Sequence, residues 1–232
     1  MKAFLLAGGK GERLRPLTDR MPKCLVPIRG TPLLGIWLDA LERQGVGDVL
    51  INVSRFPDQV ERFIEARRGR PPRVRLVPEV DPVGSAGTVA GNRAFVDGEE
   101  SFWIVYSDNL TNVALAPMLS THRAHEGVLT MALFRTPSPK SSGIVTVEPG
   151  GRITAFHEKP EHPAGNLANA GIYLARQAVF DWIPRGMATT DFGHDVLPRL
   201  VGMMYGFEVN GYLADIGTPA RLAKANADWP GF

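Results

Sequence analysis

Basic residues and a run of glycines stand together near the start of this chain. Gly8-Gly9-Lys10-Gly11 is followed at once by Arg13 and Arg15, and then by Pro22-Lys23. Where side chains are missing, backbone N–H groups can close on an anion, and nearby cations neutralise it. The chemistry this pattern suits is phosphate binding. Two common glycine-loop patterns do not fit. G-x-G-x-x-G would need a third glycine where Leu14 stands, and G-x-x-x-x-G-K-[ST] would need Ser or Thr where Gly11 follows Lys10. A tight turn with incidental basic residues would explain the glycines alone. It does not explain glycines, Arg13, Pro16 and Pro22-Lys23 together. A second candidate is Asp108, directly after the apolar run Ser101–Tyr106. A carboxylate at the C-terminal end of a central parallel strand stands at the mouth of the crevice where such sheets bind ligands. His122 and His125 are spaced i, i+3, but no further His, Cys or carboxylate completes a zinc pattern, so both are expected to be solvated.

The elements that must hold these residues follow from hydrophobic spacing. Lys2–Ala7 is a short apolar run of strand length that empties into the glycines. Pro32–Gln44 reads as an amphipathic helix, with Leu34, Trp37, Leu38 and Leu41 on one face and Gly45 as its stop. Asp48–Val53 predicts a strand, Pro57–Arg68 a helix with Val60, Phe63 and Ile64 inward, and Val74–Val77 a short strand. This alternation predicts a parallel sheet covered on both faces. Pro78–Thr88 begins as a loop, and Ser85 can cap a helix to about Phe95. Ser101–Tyr106 is the most apolar strand. Ala114–Glu126 predicts a surface helix, Val128–Phe134 a strand, Pro137–Ser142 a loop, and Gly143–Val147 and Ile153–His157 further strands. Thr190-Asp191 can cap a helix reaching Val201, kinked at Pro198. Tyr212–Ile216 predicts a strand and Arg221–Ala227 a closing helix.

Composition bounds the rest. The chain has 232 residues, enough for one large α/β domain. Hydrophobic residues make up 44% and charged residues 22%, ordinary for a soluble globular protein. A net charge of +2 argues against bulk nucleic-acid binding, and Arg67-Arg68-Gly69-Arg70 reads as a solvated helix end. The single cysteine, Cys24, excludes an intrachain disulfide and fits a reducing, cytoplasmic setting as a small packed residue. No segment approaches a membrane span.

The opening stretch resembles the signature of the sugar-1-phosphate nucleotidylyltransferases, roughly L-A-G-G-x-G-T-R-L-x-P-L-T followed by P-K. Only Glu12 departs, where many members carry Thr. Four further signatures of that family recur in order: the loop Glu79–Thr88, Ser107-Asp108, Glu158-Lys159-Pro160 with Asn169-Ala170-Gly171-Ile172-Tyr173, and Asp215-Ile216-Gly217-Thr218-Pro219. The resemblance covers nearly the whole chain. It implies a Rossmann-like three-layer α/β/α sandwich with a mixed, mostly parallel central sheet. It also implies a single catalytic domain over 1–232, like the short members that lack a C-terminal β-helix, acting as a monomer or weak homodimer without nucleic-acid or membrane partners. By the same resemblance Leu6, Ala7, Gly8, Gly9, Gly11, Arg13, Lys23, Glu79, Gly84 and Ser85 bind the nucleotide. Gly143, Glu158, Lys159 and Asn169 take the sugar phosphate, and Asp108 and Asp215 hold Mg²⁺.

The reaction implied joins a sugar 1-phosphate to an NTP and releases pyrophosphate. The attacking phosphate oxygen is already an anion, so no general base is required, in keeping with a sequence that has no Ser/His/Asp or Cys/His arrangement. Positioning and charge neutralisation are what remain, with Arg13, Lys23 and Asp108 as the catalytic groups. Glu79 leans the base toward guanine. A carboxylate only accepts hydrogen bonds, and guanine offers adjacent N1–H and N2–H₂ donors where uracil and thymine offer one N–H between carbonyls. GTP with mannose or heptose 1-phosphate is the expectation. Lys10–Arg13 also resembles short uridylyltransferases, so UTP is the alternative, as is a thymidylyl enzyme. A GT-A glycosyltransferase would carry Asp-x-Asp where Asp108-Asn109-Leu110 stands. A non-catalytic nucleotide-sugar sensor is the other reading, although such copies tend to lose the Arg, Lys or Asp residues kept here.

Overall fold

The computed structural model describes all 232 residues, Met1–Phe232. Its elements are β1 (Lys2–Leu6), β2 (Pro27–Ile28), β3 (Thr31–Pro32), α1 (Leu33–Arg43), β4 (Asp48–Val53), α2 (Pro57–Ala66), β5 (Arg73–Pro78), α3 (Ser85–Gly91), β6 (Ser101–Tyr106) and β7 (Asn109–Thr111). They continue with α4 (Ala116–Arg123), β8 (Leu129–Arg135), β9 (Gly143–Val147), β10 (Ile153–Glu158), β11 (Leu167–Arg176), β12 (Met204–Glu208), β13 (Leu213–Asp215) and α5 (Pro219–Asp228). The fold is α/β and Rossmann-like, with a mixed, mostly parallel central sheet and helices on both sides. No helix is long and apolar enough to cross a membrane.

Two compact units divide the chain. The first comprises Met1–Pro82, Val105–Val113 and Gly211–Phe232. Its strands run in the order β1-β4-β5, all parallel, with Leu6 level with Asn52 and Val53 level with Pro78. That register brings the ends of β1 and β4 to one height, where the glycine loop begins. Parallel strands are covered on both faces, and β1 and β4 accordingly bury every apolar residue they carry. The α1 face foreseen from spacing is the buried one: Leu34, Trp37, Leu38 and Leu41 are all within 2% of full burial. Each such side chain contributes about 2 kcal/mol relative to an exposed one. Trp37 reaches further, its Nε1–H donating to Asn109 O at 2.7 Å. Gly45, at φ 73°, ends the helix in the left-handed conformation that glycine adopts without strain. β5 lies at the edge of the sheet. Arg73 and Arg75 are exposed along it, and Arg73 makes a two-point contact with Asp48 on β4 at 2.8 and 2.9 Å.

The second unit comprises Val83–Ile104 and Ala114–Asn210. Here antiparallel pairs enter: β11 with β8 and β9, and β10 with β9, while β12 joins β8 in parallel. Neither β11 nor β12 stands out as a strand in the sequence. Asn169-Ala170-Gly171-Ile172-Tyr173 proves to be a break in register within β11, with Gly171 at φ 69°. Such a bulge bends the strand and re-aims its side chains. The segment after Thr190 also departs from the expected helix. Asp191 caps it, accepting from Gly193 N at 2.8 Å and His194 N at 3.3 Å. The turns that follow, however, are a π-helical turn over Phe192–Val196 and a 3₁₀ turn over Leu197–Leu200. Ser85 does not cap its own helix, since Gly84 takes that position and the Ser85 hydroxyl donates to Asp191 Oδ2 at 2.7 Å.

The two histidines correct the sequence reading most clearly. His122 is 1% exposed, not solvated. α4 is shorter than expected, and Met118 and His122, four residues apart, share its buried face. The His122 ring lies between Ser101 Oγ (3.0 Å) and Thr130 Oγ1 (2.7 Å). His125 stacks on Tyr205, ring centroids 3.9 Å apart, and its Nε2 lies 2.8 Å from Thr130 Oγ1. Gly127 N–H donates to His125 Nδ1 at 3.0 Å, so that nitrogen is an acceptor and the ring is neutral. Arg176 closes the turn by donating to the carbonyls of His122, His125 and Gly127. Burial, reinforced by the Arg176 charge, pushes His122 down to about 3 and lowers His125 as well.

Candidate functional site

In the first unit, the loop after β1 is fixed from behind. Ala7 N–H donates to Asn52 Oδ1 at 2.8 Å, and Ser54 Oγ donates to Gly8 O at 2.6 Å. Leu6, nearly buried, has its carbonyl taken by both Ser107 N and Ser107 Oγ at 3.0 and 2.8 Å. Gly11, at φ 68°, packs on buried Thr18, whose hydroxyl donates to Gly11 O at 2.7 Å. Gly9 faces open space, and the N–H groups of Gly9, Lys10 and Gly11 have no acceptor within the protein. A loop anchored by its carbonyls with its amides unspent is suited to an anion.

The charged residues predicted from sequence converge beside it. β7 and β13 pair with Asp215 opposite Asn109, which brings Asp108 and Asp215 together although they are over a hundred positions apart. Between them lies Lys23, 11% exposed, with Nζ 2.8 Å from Asp108 Oδ2 and 4.0 Å from Asp215 Oδ1. The two carboxylates remain 40% and 34% exposed. Asp215 is held from its other side: Oδ1 accepts from Gly217 N at 2.6 Å, and Oδ2 pairs with Arg221. Gly217 is a close approach, because a Cβ there would come within 2.7 Å of Asp215 Oδ1 and 2.9 Å of Arg13 Nη2. Arg13 thus reaches the same cluster. Thr218 then caps α5, accepting from Arg221 N at 3.3 Å, and Pro219 opens the helix. Cys24, the neighbour of Lys23, is a packed residue, and burial pushes its thiol up to about 12. Two carboxylates, with no third His, Cys, Asp or Glu joining them, fit a hard cation that completes its shell with water and substrate phosphates better than one caged by protein.

Glu79 follows β5, and its carboxylate accepts from Asn52 Nδ2 at 3.0 Å. Asn52 and Arg221 are the two members of this region that the sequence reading missed. Nothing in an I-N-V strand or a closing helix marks either; only the register of β1 against β4, and the turn from Asp215 to α5, bring them in.

In the second unit the remaining candidates form another cluster. Gly143 stands opposite Glu158 in the β9–β10 ladder, and a Cβ at Gly143 would lie 2.8 Å from Glu158 Oε2. Glu158 is 16% exposed and pairs at 3.3 Å with Lys159, which is 59% exposed. Lys159 has φ 45° although Pro160 follows, a backbone conformation that costs about 1–3 kcal/mol. Asn169 spends both ends of its amide on the bulge, Oδ1 accepting from Gly171 N at 2.9 Å and Nδ2 donating to Tyr173 OH at 2.7 Å. Gly193 is a further close approach, since a Cβ there would lie 3.0 Å from Glu158 Oε2 and 3.1 Å from Asp191 Oδ1. Asp191 and Gly193 therefore join Glu158 in a way the sequence signalled only as a helix cap. Gly84, at φ 82°, lies against the Thr190 backbone so closely that a Cβ would overlap it. Thr190 O accepts from Ala86 N and Gly87 N at 2.9 and 3.1 Å, and Ser85 Oγ accepts from Phe192 N at 2.9 Å. Of the predicted residues of this segment, Gly84 is thus packed against the 190–192 turn and Ser85 is bonded into it.

Residues 2–230 match the family model described as Nucleotidyl transferase. Among curated relatives, the mannose-1-phosphate guanylyltransferase catalytic subunit beta of Danio rerio is 34% identical over 224 residues, covering 94% of this chain and 62% of the relative. The mannose-1-phosphate guanylyltransferase of Mycobacterium tuberculosis is 32% identical over 230 residues, covering 97% and 64%. The chain thus spans a little under two thirds of the length of these relatives. A crystal structure from Bacillus anthracis, provisionally assigned as a glucose-1-phosphate thymidylyltransferase, superposes with a TM-score of 0.85 at 24% identity, covering 98% of this chain and 94% of that one. The chain belongs to the nucleotidyl transferase family, among the sugar-1-phosphate nucleotidylyltransferases.

Proposed function

We propose that this chain transfers a nucleotidyl group from an NTP to a sugar 1-phosphate, releasing pyrophosphate, with GTP as nucleotide and mannose or heptose 1-phosphate as acceptor. The observation that carries the reading is the convergence of Arg13, Lys23, Asp108 and Asp215 beside a glycine loop with unspent amides. An oxygen of the sugar phosphate attacks the α-phosphorus of the NTP. The bond from that phosphorus to the bridging oxygen of the β-phosphate breaks, and pyrophosphate leaves with the electron pair, in one displacement with inversion. Arg13 and the Gly8–Gly11 backbone hold the leaving phosphates. The Lys23 ammonium, kept in place by Asp108, meets the charge that develops around the α-phosphorus. Asp108 and Asp215 would hold Mg²⁺, whose charge neutralises the phosphate oxygens. Arg221 and the Gly217 amide keep Asp215 oriented for that task. Lys159 draws in the second phosphate, Glu158 receives the sugar hydroxyls, and Asn169, its amide fixed by the β11 bulge, lies against the sugar ring. At the base, Glu79 accepts from guanine N1–H and N2–H₂.

The test is pyrophosphate release in Mg²⁺ with each NTP against a panel of sugar 1-phosphates. GTP with mannose or heptose 1-phosphate is expected to lead. A preference for UTP or dTTP would overturn the guanine assignment and leave the transfer intact, whereas no release with any pair would overturn the transfer. Two variants separate the substrates: Arg13→Ala is expected to raise KM for the NTP, and Lys159→Ala KM for the sugar phosphate.

A further inference from the structure

Asn52 has no part in the reaction as written, yet it touches two of the segments the reaction uses. It lies at the C-terminal end of β4, 4% exposed. The orientation of its amide follows from a partner with no choice: Ala7 N–H can only donate, so Oδ1 faces Ala7 at 2.8 Å. Nδ2 must then face the other way, and there it donates to Glu79 Oε2 at 3.0 Å. Gly8 makes room for this arrangement, since a Cβ would lie 2.6 Å from Asn52 Nδ2 and 3.5 Å from Glu79 Oε2. Gly8 thus serves a side chain as much as an anion. Two residues on, and on the same face of the chain, Ser54 grips the carbonyl of Gly8. The Glu79 backbone is fixed in turn by its N–H donating to Val53 O at 2.8 Å.

We propose that Asn52 is a positioning residue for base selection, a buried amide that ties the glycine loop to Glu79 and sets the direction in which that carboxylate accepts. The inference rests on the proposed reading of Glu79 at the nucleobase. A carboxylate on a flexible side chain can swing to meet either one donor or two. Tied to a buried amide, it presents its two oxygens in a fixed direction, which suits two adjacent N–H donors and disfavours a single N–H flanked by carbonyls. The residue acts through Glu79 and needs no contact with the nucleotide.

Asn52→Asp separates this role from simple support of the loop. Aspartate keeps the shape and the acceptor for Ala7 N–H, but it removes the donor to Glu79. Equilibrium binding of GTP and of UTP is compared by calorimetry for wild type, Asn52→Asp, Glu79→Gln and the double variant, alongside KM for the sugar phosphate. The preference for GTP is expected to fall about tenfold in Asn52→Asp, with KM for the sugar phosphate unmoved and no further fall in the Glu79→Gln background. Equal weakening of both nucleotides, or an unchanged ratio while Glu79→Gln shifts it, would overturn the role of Asn52 and leave the base reading standing. If Glu79→Gln leaves the ratio unchanged too, the base reading falls and this inference with it. Should Asn52→Asp fold poorly, Asn52→Ser, which retains a hydroxyl in place of the amide, is read by the same ratio.

Discussion

Two of the polar clusters in this chain, around Lys23 and around His122, are built on opposite terms. The one around Lys23 is charged and half open: Asp108 and Asp215 are 40% and 34% exposed, and each faces a cation. The one around His122 is closed and made of neutral rings and hydroxyls, Ser101 and Thr130 bonding His122 and His125 bonding Thr130, with the Arg176 guanidinium turned to backbone carbonyls. Leaving charges in a partly wet site keeps them available to a polyanionic ligand. Burying polar groups is tolerated only when each is paired, and it then lends rigidity rather than reactivity. Polarity alone therefore does not mark a working site. In the reading proposed above, what marks it is charge retained at the end of strands, still partly exposed.

That contrast can be broken at four places. The largest effect is expected from Asp215→Asn or Lys23→Ala, which should lower kcat by about a hundredfold or more while leaving the thermal midpoint near that of wild type. A variant that kept full turnover in the presence of excess chelator would dissolve the distinction. His122→Ala should do the reverse. Urea unfolding should show a loss of about 2–4 kcal/mol, from a cavity and the hydrogen bonds lost by Ser101 and Thr130, with turnover per folded molecule unchanged. Next comes acid. His122 titrates at about 3 in the fold, below the ordinary histidine value, so the folded chain binds fewer protons than the unfolded one. Its contribution to stability is complete above about pH 6.5 and is lost as pH falls toward 3, by at most about 1.4 kcal/mol per pH unit. Unfolding curves at pH 7.5 and 4.5 should reveal this, and His122→Gln should flatten the difference. The smallest effect belongs to Arg221→Ala, a partly exposed partner of Asp215. It should lower kcat/KM only roughly two- to fivefold, and a loss as large as that of Asp215→Asn would make Arg221 a member of the reacting set.

Much of this was legible in the chain itself. β4, β6 and β9 lie where apolar runs predicted them, and the buried face of α1 is the one its spacing announced. The meeting of Asp108 and Asp215 could be expected from the resemblance alone, because it depends on the antiparallel pairing of two three-residue strands that no local pattern reveals. β11 was hidden because Gly171 interrupts its alternation at the bulge. The histidines were misread because spacing of i, i+3 says nothing about which face of a short helix is inward; Met118, one turn earlier, decides it. Asn52 was missed for a related reason. A polar residue at a strand end reads as solvated until the neighbouring strand supplies its partners.

The edge strand β5 has a consequence for the chain's behaviour among its own copies. Unpaired strand edges invite other chains to extend the sheet, and long apolar ones seed aggregates. Along β5 two alternate positions are arginines, Arg73 clasping Asp48 while Arg75 stands exposed, and Pro78 closes the strand with a residue that has no N–H to offer. A strand approaching from another molecule would have to bury those guanidinium groups and align against a missing donor. The border of the sheet thus offers an approaching strand charge and a missing donor, while the apolar side chains of β1 and β4 stay buried behind it.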